Sequence, residues 1–312
     1  MDAVLANLPP VTKGWCIATI TASLLIASHK IKHSNLLFMP GRAWSTQNWR
    51  LITSFITFGP LSFDLIFTLW QISSRCSKVE TSFQTTAAHM PLSVIDSLNA
   101  RQRQVLTAFI HRNKSLDFLW FFIQVSASVL VVATVVHYRF QVTMLELGQV
   151  LISALVYIDS KLSPHEQINF FGVFQLSNSY YPFLSAAITL LSSNEWVDTG
   201  SDIFGAGNGA GVDGVGGVGR GMWNTVKKWV THPLMYYYLM SYGLGHFWWC
   251  CREFLLSSPL HYEEDERKRQ LRRQTLLKYG IKKFDLVREA LVILLLPPWY
   301  WIILSKIKQD RM

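Results

Sequence analysis

The feature that most constrains this sequence is a series of long apolar windows almost free of charge. Six such windows contain at most one Asp, Glu, Lys or Arg each, and they cover residues 14–29, 51–74, 118–138, 140–158, 167–194 and 229–251. About 20 mostly apolar residues are enough to cross the hydrocarbon core of a bilayer. We therefore predict an all-α membrane protein with six transmembrane helices, the first of them retained rather than cleaved as a signal peptide.

A seventh apolar run, residues 290–305, differs from these six windows. A straight helix over it would reach only about 24 Å across a core that is about 30 Å thick. Pro297-Pro298 also interrupts the run, and a Trp-Tyr-Trp cluster follows the two prolines. Proline breaks a helix, and Trp and Tyr favour the level of the lipid headgroups. We expect an interfacial or re-entrant segment here, although a seventh span remains an alternative.

The charge pattern favours a membrane surface over nucleic acid as the partner. The chain has 50% hydrophobic residues, only 16% charged residues and a net charge of +9, a composition that excludes soluble, disordered and fibrous classes. Lys and Arg are concentrated in residues 75–115 and 252–312, and the positive-inside rule then places both termini in the cytosol. No nucleic-acid partner is expected.

Two tempting motifs have plainer interpretations. The glycine-rich stretch at residues 200–221 matches GxGxxG twice, but no strand precedes it, so we interpret it as a linker. The four cysteines, at positions 16, 76, 250 and 251, lack the spacing of a zinc site, and we interpret them as inert thiols. We therefore predict no metal and no cofactor.

Polar residues recur at helical spacing inside three of the windows. The second window carries Asp64, Thr68 and Gln71 followed by Arg75, the third carries Gln124 and Ser128 after Asp117, and the fourth carries Glu146, Gln149, Ser153 and Tyr157. Each set lies along one helical face. Polar groups are costly in lipid, so these faces line either a hydrophilic cleft or a hydrogen-bonded polar core that joins the helices. Both alternatives remain open.

The sixth window contains a small-xxx-small pair, Ser241 and Gly245, beside His246. Small residues at this spacing allow two helix backbones to approach closely. We expect helix packing at Ser241 and Gly245, and we interpret His246 as a packing residue.

Several segments, taken together and in order, resemble the derlin family, the rhomboid-like proteins of the endoplasmic reticulum. The resemblance covers about residues 5–255, and we expect a fungal member. It rests on residues 7–13, Trp49-Arg50 and the residues up to Thr53, Phe58-Gly59-Pro60-Leu61, Leu147-Gly148-Gln149, Val156-Tyr157, Ser163-Pro164, Asn169-Phe170-Phe171-Gly172, Pro182-Phe183 and Gly245-His246.

The resemblance implies a six-helix rhomboid-like membrane domain over residues 1–258. A cytosolic insert at 84–115 and a glycine-rich luminal insert at 196–232 interrupt it. A charged cytosolic tail follows at 259–312, with a charged helix expected over 262–276 and the apolar segment at 290–305. The chain lacks a recognisable C-terminal motif for the cytosolic unfolding ATPase, so we expect only an indirect link to it.

The implied function is endoplasmic-reticulum-associated degradation, with misfolded proteins as clients and a multispanning ubiquitin ligase complex with its adaptors as partner. Active rhomboids need a Gly-Xaa-Ser-Gly nucleophile turn, and this chain has Leu147-Gly148-Gln149 instead, so it is expected to be a pseudoprotease. Two roles remain: a conduit through a polar half-channel and a thinned bilayer, or an adaptor that only holds client and ligase together.

The conduit hypothesis assigns two sets of residues, one to the groove and one to the first luminal loop. The groove candidates are Asp64, Thr68, Gln71, Gln124, Glu146, Gln149, Ser153 and Asn169. Trp49 and Arg50 are expected to anchor the first luminal loop, residues 30–50, in the membrane interface, with Trp49 at headgroup depth and Arg50 donating to carbonyls or phosphates.

Overall fold

The protein is built mainly from helices, with one short β-hairpin. A computed structural model describes residues 7–83, 85, 89–91, 98–170, 174–192, 233–256 and 286–309. The predicted glycine-rich insert, the predicted helix over 262–276 and part of the insert at 84–115 lie outside the described residues. The elements in the first half of the chain are α1 (Pro10–Ala27), α2 (Pro40–Ala43), α3 (Arg50–Thr53), α4 (Phe63–Gln71), a π-helical segment (Ile72–Cys76), α5 (Ser77–Ser82), α6 (Ala100–Arg112) and α7 (Lys114–Phe140).

The second half of the chain adds the hairpin and five more helices. These elements are α8 (Leu147–Leu162), β1 (Gln167–Phe170), β2 (Phe174–Ser177), α9 (Tyr181–Ser192), α10 (Pro233–Cys250), a second π-helical segment (Cys251–Leu256), α11 (Leu286–Leu295) and α12 (Pro298–Gln309). Helices α1, α2, α10 and α12 begin at a proline, whose fixed φ suits the first helical turn and whose missing N–H is not needed there.

Two described helices, α1 and α7, are long and apolar enough to cross a membrane, with a mean hydropathy of 1.3 and 2.2 in their most apolar windows. They coincide with the first and third predicted spans. This count rests on length and composition within the described ranges, and the total of six spans stays a prediction.

The second predicted span, residues 51–74, is not one helix. Helix α3 ends at Thr53, Gly59 adopts a φ of +86° and Pro60 follows it, so α4 begins only at Phe63. A positive φ and a proline are both incompatible with a continuous helix. The carboxylate of Asp64 therefore lies in the first turn of α4, where the helix dipole favours an acidic side chain, rather than in the middle of a span.

The all-α expectation is wrong for residues 167–170 and 174–177. Strands β1 and β2 pair antiparallel here, with Gln167 opposite Ser177 and Ile168 opposite Leu176. Hydropathy alone marked this segment as the start of the fifth span. Within each strand polar and apolar residues alternate, and Ile168 is buried while Gln167 is exposed, the period-two pattern of a half-buried strand. The helix of this window, α9, begins only at Tyr181.

The chain divides into two compact units. Unit 1 comprises Met1–Ile17, Ile72–Ala127 and His246–Met312, and unit 2 comprises Ala18–Gln71 and Ser128–Gly245. Three boundaries fall within α1, α7 and α10, and the fourth lies between α4 and the first π-helical segment.

The core of unit 1 joins the predicted insert to the C-terminal apolar run. Its buried side chains come from the insert, from α6 and from the C-terminal pair α11 and α12: Met90, Leu98, Leu106, Ile110, Val292, Leu296, Tyr300 and Leu304. The helix break expected at Pro297-Pro298 is confirmed, since α11 ends at Leu295 and α12 begins at Pro298. Within α6 the buried positions are Leu106 and Ile110, whereas Val105 is 56% exposed.

Candidate functional site

Helix α8 carries the predicted polar face within unit 2. Most of its apolar side chains are buried, whereas Gln149, Ser153 and Tyr157 are half-buried at successive helical turns. Glu146 precedes the helix, with its carboxylate 3.6 Å from the imidazole Nε2 of His33. The side-chain oxygen of Gln149 is buried and accepts no hydrogen bond within the described part of the chain. This face thus contains a buried acceptor that no described donor satisfies.

The second polar set divides at the unit boundary. Thr68 and Gln71 are buried in unit 2, and the Gln71 amide donates a long hydrogen bond of 3.4 Å to the Ser185 hydroxyl of α9. Asp64, in the same unit, is exposed. Arg75 lies in the π-helical segment of unit 1. Only Thr68 and Gln71 of this set are therefore buried polar groups of unit 2.

The polar face of α7 in unit 1 binds the C-terminal helices. The Gln124 amide nitrogen donates to the carbonyl of Leu294 at 3.0 Å. In a continuous helix that carbonyl would accept from the residue four positions on, but Pro298 has no N–H to donate. The Asp117 carboxylate accepts from the indole of Trp299 at 3.0 Å and from the hydroxyl of Tyr300. Gln124 thus belongs to a docking surface in unit 1, whereas Gln149 and Ser153 belong to unit 2.

Removing one of these donors should loosen unit 1. We expect Tyr300→Phe to lower its stability by about 1–3 kcal/mol, because the buried Asp117 carboxylate loses a hydrogen bond. Cys16, Cys76 and Cys251 are buried cysteine thiols in this unit, so labelling by a thiol-reactive dye during heating in detergent reports its opening.

Tyr138→Phe is the matched control for this prediction, because Tyr138 is exposed and lies in the part of α7 that belongs to unit 2. The docking interpretation requires earlier labelling in Tyr300→Phe than in Tyr138→Phe. Identical labelling curves for the two variants contradict it.

Arg50 holds the first loop of unit 2 together. It is 1% exposed, and its guanidinium donates to the carbonyls of Ser34 and Leu37, each at 2.7 Å, and to the Gln47 side chain. Burial lowers the pKa of this guanidinium, and the charge of Arg42 lowers the pKa further. Arg50 therefore donates to carbonyl oxygens of its own loop.

Two tryptophans of the same loop are exposed. Trp49 and Trp44 are each about half exposed, and the Trp44 indole donates to the Thr134 hydroxyl of α7 at 3.2 Å. Large exposed aromatic side chains with a polar tip suit the water–lipid interface. Trp49 thus has the exposure that an interfacial anchor needs, and Arg50 supports the loop that carries it.

Gly245 lies where the backbones of α10 and α8 come close together in unit 2. A Cβ atom at Gly245 would lie 2.9 Å from the Ala154 carbonyl oxygen, so a larger side chain would have to displace backbone. Ser241, one turn earlier, is fully buried. His246 is exposed in unit 1, with its Nε2 atom 3.4 Å from the Cys250 sulfur.

The sequence analysis did not predict the contacts of one carboxylate, Glu80, and one glycine, Gly148. Glu80 of α5 is buried and accepts from the backbone N–H groups of Val11 and Thr12, at 3.2 and 2.8 Å, so it caps α1, whose own first turn has no acidic residue. Gly148 donates its N–H to the Ser54 carbonyl at 3.0 Å, and a Cβ there would lie 2.6 Å from the Phe55 oxygen. Both contacts join residues that are far apart in the sequence, so the sequence alone could not reveal them.

Asn169, the last groove candidate, lies in strand β1 and pairs with Gln175 of β2. The exit of this hairpin is tied to the end of α8 by Asn178. The Asn178 amide donates to the Asp159 carbonyl and carboxylate, each at 3.2 Å. Asn169 thus belongs to a hairpin next to α8 in the chain rather than to a membrane-spanning helix.

Comparison with known proteins gives consistent matches. The model of the Der1-like family matches residues 8–210. Derlin-1.2 of Zea mays is 25% identical over 186 residues, which is 59% of this chain and 64% of that relative, so the chain spans less than two thirds of its length. Derlin-2.2 of Arabidopsis thaliana is 22% identical over 200 residues, 62% of this chain and 70% of the relative. The expected fungal origin stays a prediction.

Proposed function

The chain belongs to the Der1-like family, and on that basis we propose that it is a non-catalytic component of endoplasmic-reticulum-associated degradation. Its proposed task is to guide misfolded proteins from the lumen or the membrane to the cytosol. The route is a hydrophilic half-channel beside a locally thinned bilayer. The proposed location is the endoplasmic reticulum membrane, with six spans and both termini in the cytosol, as the distribution of Lys and Arg favours.

The observation that carries this proposal is the buried side-chain oxygen of Gln149, which accepts no hydrogen bond from any residue that the structure describes. A buried acceptor without a donor costs about 1–3 kcal/mol. A polar face that only joined helices would pair its groups, whereas a groove for polypeptide would leave acceptors for the N–H groups of a passing chain. The half-buried Ser153 on the next turn extends the same face. This pattern supports a groove over a closed polar core.

The lengths of two helices support thinning of the bilayer. Helix α1 has 18 residues and α8 has 16, which correspond to about 27 and 24 Å, shorter than a hydrocarbon core of about 30 Å. A bilayer adapts to short helices by thinning around them. A thinner bilayer shortens the distance over which the backbone of a crossing chain lacks water.

The proposed partners follow from the same role. Misfolded proteins are the clients, a multispanning ubiquitin ligase complex with its adaptors receives them, and the link to the cytosolic unfolding ATPase is indirect. Membrane lipid is the remaining proposed partner.

Replacing the polar face of α8 by leucine tests the conduit. In cells that lack their own family member, the Gln149→Leu/Ser153→Leu double variant should slow degradation of a misfolded luminal client about fivefold, the rate equivalent of about 1 kcal/mol of lost hydrogen bonding. A cycloheximide chase measures the client half-life. Co-immunoprecipitation with the ligase should be unchanged.

Gln104→Leu is the matched control, because Gln104 is exposed on α6 in unit 1. The substitution is again glutamine to leucine, but it lies away from the polar face of α8. Unchanged client degradation in the double variant, with the complex intact, would support the alternative adaptor role and overturn the conduit. Cleavage of a peptide bond by the purified protein would overturn the non-catalytic assignment.

A further inference from the structure

A cavity in unit 1 lies outside the proposed groove. Together with the open space at its mouth it measures about 500 Å³. Aromatic side chains from three segments line it, Phe83 after α5, Trp120 and Phe121 of α7, and Trp248 of α10. The rings of Phe121 and Trp248 meet edge to face, with centroids 5.8 Å apart. Leu295, Leu296 and Pro297, at the break between α11 and α12, line it as well.

Two side chains of opposite charge, Arg252 and Asp117, also line the cavity. The Arg252 guanidinium lies 3.9 Å from the centroid of the Phe83 ring, and it interacts electrostatically with Asp117 and Glu253. Asp117 is 1% exposed, and the side chains that donate hydrogen bonds to it, Trp299, Tyr300 and Thr85, are neutral. The carboxylate charge is therefore not neutralised by its hydrogen bonds.

The cavity also offers a hydrogen-bond donor, the indole N–H of Trp120. The indole nitrogen of Trp120 is buried, and it has no acceptor among the described residues. A tryptophan N–H that is buried usually finds a partner, so this one is available to an acceptor that enters the cavity.

We propose that this cavity binds the headgroup of a zwitterionic phospholipid. The phosphate accepts from the Trp120 indole and is attracted by Arg252. The ammonium group is attracted by Asp117 and by the aromatic faces, of which Trp is the best cation–π partner. A purely anionic headgroup would bring negative charge close to Asp117 with no ammonium group of its own to offset it, so the mixed charge of the site selects a zwitterion.

The place of the cavity in the fold agrees with this ligand. Asp117 and Trp120 lie in the first two turns of α7, and Trp248 lies near the end of α10. Ends of apolar helices, rather than their centres, lie at the level of the headgroups, where tryptophans concentrate. The proposed topology places both ends at the cytosolic leaflet, but the ligand class does not depend on that assignment.

Lipid retention by the purified full chain tests the proposal. Native mass spectrometry after delipidation and exchange with phosphatidylcholine should show one retained phosphatidylcholine per chain. Trp120→Phe, which keeps the ring and removes the donor, should lower its affinity about tenfold, as expected for a hydrogen bond to a charged group. Arg252→Gln should lower it by at least as much.

Two variants serve as controls. Trp44→Phe changes an exposed tryptophan of unit 2, and Arg101→Gln changes an exposed arginine of α6; both should retain the lipid. Equal loss of lipid in test and control variants would overturn the site. Stronger retention of phosphatidylserine than of phosphatidylcholine would overturn the zwitterion, and binding of inorganic phosphate with the same dependence on Trp120 and no retained lipid would assign the site to free phosphate and overturn the lipid.

Discussion

Replacing Arg50 by Ala is expected to destabilise unit 2 by about 3 kcal/mol or more, because it leaves buried acceptors without a donor and a cavity in their place. The guanidinium donates to two loop carbonyls, those of Ser34 and Leu37, and to the Gln47 side chain. Each neutral acceptor that loses its partner in a buried site costs about 1–3 kcal/mol. The first loop should lose its fixed conformation, and with it the position of Trp49.

The measurement is thermal unfolding in detergent, together with the steady-state amount of the protein in cells. Arg50→Lys should fall between wild type and Arg50→Ala, because a single ammonium group keeps the charge but lacks the fork of donors that bridges three acceptors. Arg42→Ala is the control, since Arg42 is exposed on the same loop. A melting temperature of Arg50→Ala equal to that of Arg42→Ala would show that Arg50 does not stabilise the first loop of unit 2.

Gly148→Ala should destabilise unit 2 although it adds a single methyl group to a helix. That carbon would lie 2.6 Å from the Phe55 carbonyl oxygen and 2.5 Å from the Phe58 ring, closer than van der Waals contact allows. Overpacking of this kind costs about 1–3 kcal/mol. Because the Gly148 N–H also donates to the Ser54 carbonyl, the two backbones cannot separate without losing that hydrogen bond.

Gly243→Ala gives the opposite expectation and is therefore a strong control. Gly243 lies in α10, and a Cβ there meets nothing within 4 Å. Alanine is favoured over glycine in a helix by about 0.5–1 kcal/mol, so this variant should be slightly more stable than wild type. The two alanine variants should thus shift the melting temperature in opposite directions, and a shift in the same direction would disprove the close approach at Gly148.

Hydropathy and proline placement were enough to predict several elements. The windows at residues 14–29 and 118–138 correspond to α1 and α7, and Pro297-Pro298 separates α11 from α12. These features depend on local chemistry, since the apolar character of a segment and the missing N–H of proline act within a few residues. The family resemblance rested on short segments in a fixed order and is confirmed by the match over residues 8–210.

The errors arose where a local signal has two physical meanings. Residues 167–177 are free of charge, as a span would be, yet within each of the strands 167–170 and 174–177 polar and apolar residues alternate with the period of a strand. The groove role of Gln124 stays a prediction, but its spacing could not reveal that its amide donates to a carbonyl that Pro298 cannot serve. Helical spacing indicates which residues share a face, not what that face meets.

The amino-acid sequence by itself determined the membrane class, the family and the position of the main apolar helices, because these follow from the composition of contiguous segments. Tertiary structure alone decided the partners of the buried polar groups. Glu80 caps a helix that begins 70 residues earlier, and Asp117 binds Tyr300 across 183 residues. A hydrogen bond depends on distances of about 3 Å between atoms, and only the folded chain brings groups so far apart in sequence that close together.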